Sequence, residues 1–189
     1  MSRTQYFCAA SLDGFIAEAD DSLEWLQEYE GSFTGAGAEP IEGAYERFYA
    51  GVGAVVMGSA TYEFVLAEVS EWPYKGKRTW ILTSRDLPEP EGEDVDVRIV
   101  KAEVTELIDE MLAAAGERHL WVVGGGSVAS QFADAGLLDD VLVTVVPVVL
   151  GEGKPLFDRR VSSCPLELMG TRAFDNGMVE LRYEMPARS

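Results

Sequence analysis

Positive charge is scarce in this sequence. The chain of 189 residues has 15 lysines and arginines against 33 aspartates and glutamates, which gives a formal net charge of -18. Binding to nucleic acid or to an anionic membrane requires clustered lysine and arginine, so this balance argues against both kinds of partner. It leaves room for a phosphate-bearing ligand, because helix N-termini and backbone N–H groups can hold a phosphate locally.

Cysteine, histidine and long apolar runs are also scarce. The two cysteines, Cys8 and Cys164, lie among apolar neighbours and form no CxxC pair, so we expect no disulfide framework and a reducing, cytoplasmic location. The single histidine, His119, begins an apolar run and is expected to be structural, so we expect no metal site. No apolar run reaches the roughly 18 residues that span a membrane, and residues 1–5 lack a signal peptide's apolar core.

Strand-like and helix-like segments alternate along most of the chain. Short apolar runs predict strands at 6–10, 54–57, 79–82, 97–100, 120–123 and 141–149. Helical spacing of apolar residues, or capping residues, predicts helices over 21–29, 41–49, 62–69, 104–115 and 127–135. Near the C-terminus, Asp175-Asn176-Gly177 separates two strand-like segments and predicts a β-hairpin. We therefore expect one α/β domain over residues 1–189, with three layers, a mixed and mainly parallel sheet, and antiparallel strands at one edge.

The most distinctive segment joins a predicted strand to a predicted helix through Gly124, Gly125 and Gly126. Glycine lets the backbone approach a ligand, and a helix N-terminus adds free N–H groups and the positive end of the helix dipole. Three successive glycines exceed what a tight turn requires, so we interpret the segment as a pyrophosphate site. Positions 124–129 also match G-x-G-x-x-A, which leaves a Rossmann-type transferase of S-adenosylmethionine as a weaker interpretation.

Two further predicted strands end in residues that suit a phosphate. Gly58 is followed by Ser59 and Thr61 at the start of a predicted helix, where the hydroxyls either cap the helix or bind an anion. Thr83-Ser84-Arg85 places two hydroxyls and a guanidinium at another strand end, which suits a phosphate monoester. Each segment alone is explained by capping or by a surface loop. Together they favour a ligand site, because ligands of open α/β sheets bind at the carboxyl ends of the strands.

Asp13 follows the first predicted strand and stands beside Gly14 between apolar segments. One interpretation is a turn aspartate that bonds to its own backbone. The other is a residue that faces a cleft, binds substrate and delivers a proton. For the second case we expect desolvation by Leu12, Phe15 and Ile16 to raise the pKa of Asp13.

Taken in order, these segments resemble the dihydrofolate reductase-like superfamily, and within it the riboflavin-biosynthesis reductase domain and its stand-alone bacterial relatives. The matching segments lie at 10–17, 56–63, 82–85, 122–126 and 147–157, which together span nearly the whole chain. The resemblance implies a dihydrofolate reductase-like fold and an oxidoreductase that uses NADPH. It implies hydride transfer to a small pterin, pyrimidine, carbonyl or imine substrate, similar to the action of 5-amino-6-(5-phosphoribosylamino)uracil reductase and dihydrofolate reductase.

The resemblance also implies which residues contact each part of the ligands. It places Ala10 and Ile16 near the nicotinamide, and Asp13 and Trp25 at the substrate. It places Thr83, Ser84 and Arg85 near the adenosine 2′-phosphate. The residues implied near the pyrophosphate are Gly58, Ser59, Thr61, Gly124, Gly125, Gly126, Ser127 and Val128.

Two departures from the family pattern bear on the ligands. Ser59 stands where dihydrofolate reductases tend to carry arginine, which leaves NADH as an alternative to NADPH. Phe15 stands where riboflavin-pathway members often carry lysine or arginine, which argues against a phosphoribosyl substrate. It also leaves open a second hypothesis, a dinucleotide-binding module of the same fold without turnover.

We also expect a homodimer, because the resemblance implies a family whose members are often homodimers. The segment 141–149 and the C-terminal hairpin are apolar and strongly β-forming. A long apolar strand at a sheet edge invites aggregation, and burial against a twofold mate is one solution. A covering loop at 150–157 is the alternative.

Overall fold

The computed structural model describes residues 2–162 and 165–186, so Cys164 lies outside the described residues. Strands and helices alternate as predicted for most of the chain. In chain order the elements are β1 (Thr4–Ser11), β2 (Phe15–Ala17), α1 (Glu24–Gln27), α2 (Ala44–Ala50), β3 (Val52–Gly58), α3 (Ser59–Glu68), β4 (Arg78–Leu82), β5 (Asp96–Val100), α4 (Val104–Ala115), β6 (His119–Gly124), α5 (Gly126–Asp134), β7 (Asp140–Val146), β8 (Lys154–Pro155), β9 (Glu167–Ala173) and β10 (Val179–Glu184).

Eight of the strands form one sheet in the order β5-β4-β3-β6-β1-β7-β10-β9. The neighbouring pairs from β5 to β7 are parallel. At the other side, β10 runs antiparallel to both β7 and β9. The short strands β2 and β8 form a separate antiparallel pair. The predicted α/β domain with a mainly parallel sheet and an antiparallel C-terminal hairpin is confirmed.

Helices cover both faces of the parallel part of the sheet. Successive side chains of a strand point to opposite faces, so β3 contributes Val56 to one core and Val55 to the other. Helices α4 and α5 pack on the first face, and α2 and α3 pack on the second. Parallel strands are buried on both faces in this way, and β3 is buried from Val52 through Met57. The predicted three layers are confirmed.

The predicted helix over 21–29 is much shorter in the structure. Only α1 is helical, and Asp21 does not cap it, because the N-cap residue is Leu23. The side-chain oxygen of Ser22 instead accepts a hydrogen bond from the Glu24 N–H group at 3.2 Å. Within the described ranges, no helix combines the length and the apolar character needed to cross a membrane.

The strand predicted over 141–149 ends at Val146 and does not lie at the sheet edge. It pairs with β1 on one side and with β10 on the other. The reason given for a dimer is therefore wrong for this segment, because the chain itself covers both sides of β7. The edge strands of the sheet are β5 and β9, and in β9 Leu168 and Met169 are 53% and 52% exposed.

Candidate functional site

The carboxyl ends of three neighbouring strands bring the three phosphate-compatible segments together. Gly58, at the end of β3, lies in register with Leu82 at the end of β4. Met57 lies in register with Gly124 at the end of β6. Thr61 occupies the space beside Gly124, since a Cβ atom there would lie 2.9 Å from the Thr61 hydroxyl oxygen. We call this part of the molecule the carboxyl end of the sheet.

Each of the three successive glycines has a reason within the fold. Gly125 has a positive φ of 84°, which favours glycine. A Cβ on Gly124 would crowd Thr61, and a Cβ on Gly126 would collide with the carbonyl oxygen of Pro155. Backbone conformation and close packing therefore account for the three glycines without a ligand, and the pyrophosphate site stays a prediction.

Helices α3 and α5 begin at the carboxyl end and, like the other three described helices, have no side-chain caps. Their N-cap residues are Gly58 and Gly125, so no side-chain cap bonds to the first turn of either helix. In α5 the first N–H group with an acceptor in the helical pattern is that of Ala129, which donates to the Gly125 carbonyl at 3.1 Å. The N–H groups of residues 126–128 come earlier in the helix and have no acceptor within it. Free N–H groups and the positive end of the helix dipole attract anions.

The two helices also leave adjacent strands in opposite directions. Helix α3 follows β3 and packs on one face of the sheet, whereas α5 follows β6 and packs on the other. In open α/β sheets such a divergence marks the place, outside the carboxyl ends of the strands, where ligands bind. The candidate site therefore lies where α3 and α5 begin, and neither helix has a side-chain cap.

The segment after β4 places its cation at the carboxyl end, but that cation already has a partner. The Arg85 N–H group donates to the Thr83 hydroxyl oxygen at 3.1 Å, which shapes the turn. The Arg85 guanidinium makes two hydrogen bonds to the Glu63 carboxylate of α3, at 3.2 Å from Nη1 and 2.5 Å from Nη2. Ser84, which lies between Thr83 and Arg85 in the chain, is exposed.

Asp13 binds a loop and is exposed. Its carboxylate accepts hydrogen bonds from the Ser11 hydroxyl at 2.7 Å, the Leu150 N–H group at 3.1 Å and the Gly151 N–H group at 2.7 Å. The bond from Ser11, followed by those from Gly151 and Leu150, outweighs desolvation and lowers the pKa of Asp13 to about 2. The expected rise in pKa is wrong, because the donors stabilise the charged form more than the apolar neighbours destabilise it.

The loop that Asp13 binds leads to a segment at the start of α5. The Leu156 N–H group donates to the Gly14 carbonyl at 3.0 Å, and β8 pairs with β2. The Pro155 carbonyl then packs against Gly126. Ala10 is buried near the end of β1, and Ile16 is partly buried in β2. The first-strand turn and the glycine segment are thus joined through residues 150–156.

A cavity of about 430 Å³ lies between α3 and the segment that contains α1. Five acidic residues line it, namely Asp20, Asp21, Glu24, Glu63 and Glu68. Trp25, which the resemblance implies at the substrate, does not line this cavity; its indole nitrogen is buried without a hydrogen-bond partner among the described residues.

Sequence reasoning missed the contribution of α3 to this cavity. Besides Glu63 and Glu68, the helix contributes Ala60, Phe64 and Ala67. Their spacing of three and four residues places them on one helix face, and that spacing was readable from the sequence. In the described parts of the chain, this cavity included, no group of three or more His, Cys, Asp or Glu side chains is placed to hold a metal ion.

Comparison with known proteins agrees with this architecture. Over 97% of this chain and 99% of the other, the fold matches that of a putative riboflavin biosynthesis protein from Shewanella sp. PV-4, with a TM-score of 0.77 and 27% identity. The fold is that of the dihydrofolate reductase-like reductases. The family model of the RibD C-terminal domain matches residues 72–180, and the chain belongs to this family.

Two sequence relatives support the assignment. The uncharacterized protein YwjB of Bacillus subtilis (strain 168) is 31% identical over 182 residues, which cover 96% of this chain and 97% of YwjB. The riboflavin biosynthesis protein RibD of Corynebacterium ammoniagenes is 27% identical over 149 residues, which cover 77% of this chain and 43% of that protein. This family does not fit the Rossmann-type transferase interpretation of positions 124–129.

Proposed function

We propose that the protein is an oxidoreductase that binds a nicotinamide dinucleotide, with NADPH as the first candidate, and reduces a small molecule. The observation that carries the proposal is the divergence of α3 and α5 from the adjacent strands β3 and β6, which brings two uncapped helix N-termini together at the carboxyl end of the sheet. Membership of the RibD C-terminal domain family supports a reductase.

The residues at the carboxyl end fit a dinucleotide. The N–H groups at the starts of α3 and α5 suit a pyrophosphate, and we assign this contact to Gly58, Ser59, Thr61 and residues 124–128. We assign Thr83-Ser84-Arg85 to the adenosine 2′-phosphate, and Ala10 and Ile16 to the nicotinamide. When bound, the nicotinamide supplies the hydride, while the protein orients it against the substrate and excludes water.

Phe15 bears on the choice of substrate. It stands after Asp-Gly, where riboflavin-pathway members often carry a lysine or arginine that would hold a sugar phosphate. We therefore propose a pterin, pyrimidine, carbonyl or imine substrate without a phosphate. The acidic cavity beside α3 includes Glu63, the partner of Arg85, so in this proposal it borders the adenosine end of the dinucleotide.

Asp13 has a supporting role in this proposal. With a pKa of about 2 it is ionised at neutral pH, so it has no proton to donate. We propose that its carboxylate fixes the loop at 150–151, and that the proton accompanying hydride transfer comes from water.

Titration calorimetry with NADPH and with NADH tests the proposal. We expect saturable binding with one site per chain for at least one of them. If neither dinucleotide binds at millimolar concentration, the proposed function is wrong.

A binding module without turnover is the second candidate, and the state of Asp13 favours it, because the acid singled out near the first strand is committed to a loop. This candidate predicts dinucleotide binding without oxidation of NADPH across a panel of pterins, pyrimidines and small carbonyl compounds. Turnover of any panel member would reject it in favour of the reductase.

We also propose a homodimer, now on the grounds of β9. This strand is one of the two sheet edges, and its Leu168 and Met169 are more than half exposed. Pairing with a second copy would satisfy the edge. Light scattering is expected to give twice the chain mass of 20.6 kDa; the mass of a single chain at micromolar concentration would refute the dimer.

A further inference from the structure

The ion pair between Arg85 and Glu63 joins the end of β4 to the first turns of α3. Both terminal guanidinium nitrogens of Arg85 are bonded to the two carboxylate oxygens of Glu63. We infer that Glu63 limits the preference of the site for NADPH over NADH, because its carboxylate is bonded to Arg85, the side chain that would otherwise bind the 2′-phosphate of NADPH. The inference rests on the proposed function and concerns its cofactor.

The geometry of the pair explains why occupation matters. A guanidinium is a planar fork, and one fork serves one carboxylate or one phosphate in the two-point arrangement. The phosphate of NADPH would have to displace Glu63 and would then lie beside its negative charge. The side chains of Arg85 and Glu63 are 52% and 46% exposed, so water weakens the ion pair. A phosphate can therefore replace Glu63 as the partner of Arg85 at a modest cost.

The same carboxylate suits a dinucleotide without the extra phosphate. An acidic side chain at this position can accept a hydrogen bond from a ribose hydroxyl, which is how acidic residues favour NADH elsewhere. Lys101, exposed directly after β5, is a second cation at this end of the sheet. An experiment must therefore separate an effect exerted through Arg85 from a general change of charge.

The first experiment compares the wild-type protein with Glu63→Gln and with Glu71→Gln. Glu71 is a matched control, because its replacement also removes one carboxylate from an exposed ion pair, that with Lys75, and lies outside the site. Calorimetry is used to measure affinities for NADPH, NADH, adenosine 2′,5′-bisphosphate and 5′-AMP. We expect Glu63→Gln to tighten binding of the two 2′-phosphorylated ligands on the order of 10-fold. We expect NADH affinity to stay within about 2-fold, because the amide retains an oxygen that can accept a hydrogen bond from the ribose hydroxyl.

The second experiment is a double-mutant cycle with Arg85→Gln. If Glu63 acts through Arg85, the gain produced by Glu63→Gln disappears in the Arg85→Gln background. The gain is also expected to shrink with added salt, because exposed charges are screened.

Three results would overturn the inference. Glu63→Gln leaves the 2′-phosphorylated ligands unchanged, Glu71→Gln tightens them equally, or the gain persists without Arg85. NADH binding that stays constant across the variants shows that they are folded, so any of these results would leave the proposed function standing. If no dinucleotide binds to any variant, the proposed function fails together with the inference.

Discussion

The amino end and the carboxyl end of the parallel strands differ in how their polar groups are satisfied. At the amino end, the buried Asp140 at the start of β7 accepts hydrogen bonds from Arg3 at 2.9 and 2.7 Å, from Gln5 at 2.8 Å and from Arg182 at 2.9 Å. At the carboxyl end, α3 and α5 begin without side-chain caps. A buried carboxylate with four hydrogen bonds lies at the amino end, whereas helix N–H groups without side-chain caps lie at the carboxyl end, so we assign stability to the first and ligand binding to the second.

Burial and hydrogen bonding compete at Asp140. Burial acts to raise its pKa, but the hydrogen bonds from Gln5 and Arg3, with the charges of Arg182 and Arg3, outweigh it and hold the pKa below the ordinary value of 3.8. Because the pKa is lower in the folded state, the stabilisation is present above 3.8 and is lost as the pH falls below it.

Asp140→Ala should have the largest effect on stability. It removes the buried carboxylate that Arg3 and Arg182 share, and breaking a fully buried pair typically costs about 3–5 kcal/mol. We expect a loss at or below the lower end of that range, because the two arginine side chains are 33% and 44% exposed and Arg3 keeps its bond to Glu184. Chemical denaturation would measure the change, with Asp109→Ala on the exposed side of α4 as a control expected to be nearly neutral. The gap between wild type and Asp140→Ala should narrow below pH 3.8. NADPH affinity should not change in the folded variant. A large loss of affinity would contradict the assignment of ligand binding to the carboxyl end alone.

Gly126→Ala tests the carboxyl end. The added methyl group would collide with the Pro155 carbonyl and approach the Leu156 carbonyl oxygen, 3.1 Å away, so the segment over the start of α5 must move. We expect a loss of about 1–3 kcal/mol of stability and a weakening of NADPH binding on the order of 10-fold.

Gly170→Ala in β9 is the matched control for that substitution, because a Cβ there meets no atom within 4 Å. It should leave both stability and affinity nearly unchanged. Equal effects of the two substitutions, or unchanged NADPH binding in Gly126→Ala, would contradict the role given to the start of α5.

Asp13→Asn should have the smallest effect on overall stability, because the side chain is exposed. The amide retains an acceptor oxygen but loses the charge that strengthens the bonds from Leu150 and Gly151. Hydrogen exchange should show lost protection of these two N–H groups, while the plot of activity against pH stays flat around neutrality in both proteins. A neutral-range ionisation present in the wild type and absent from Asp13→Asn would restore Asp13 as a proton donor.

Much of the fold was predictable because it depends on local pattern. The alternation of strands and helices gave the parallel sheet, and Asp175-Asn176-Gly177 gave the hairpin between β9 and β10. The convergence of Gly58 and Gly124 followed from the rule that parallel strands end on the same side. These features need only periodicity, turn residues and strand direction.

The features that the sequence did not predict depend on contacts between distant parts of the chain. Strands β2 and β8 have three and two residues, too few for a periodic pattern. The low pKa of Asp13 comes partly from N–H groups 137 and 138 positions away, which no local pattern reveals. The pairing of Arg85 with Glu63, 22 positions apart, likewise depends on how α3 lies against the end of β4.

Hydrogen–deuterium exchange of the full chain with and without saturating NADPH tests the central claim most directly. The account predicts slower exchange of the N–H groups at 58–61 and 124–128, at the starts of α3 and α5, and no change at 3–5, 139–141 and 182–184. Unchanged exchange at the starts of both helices, or slowing confined to the amino end, would contradict it.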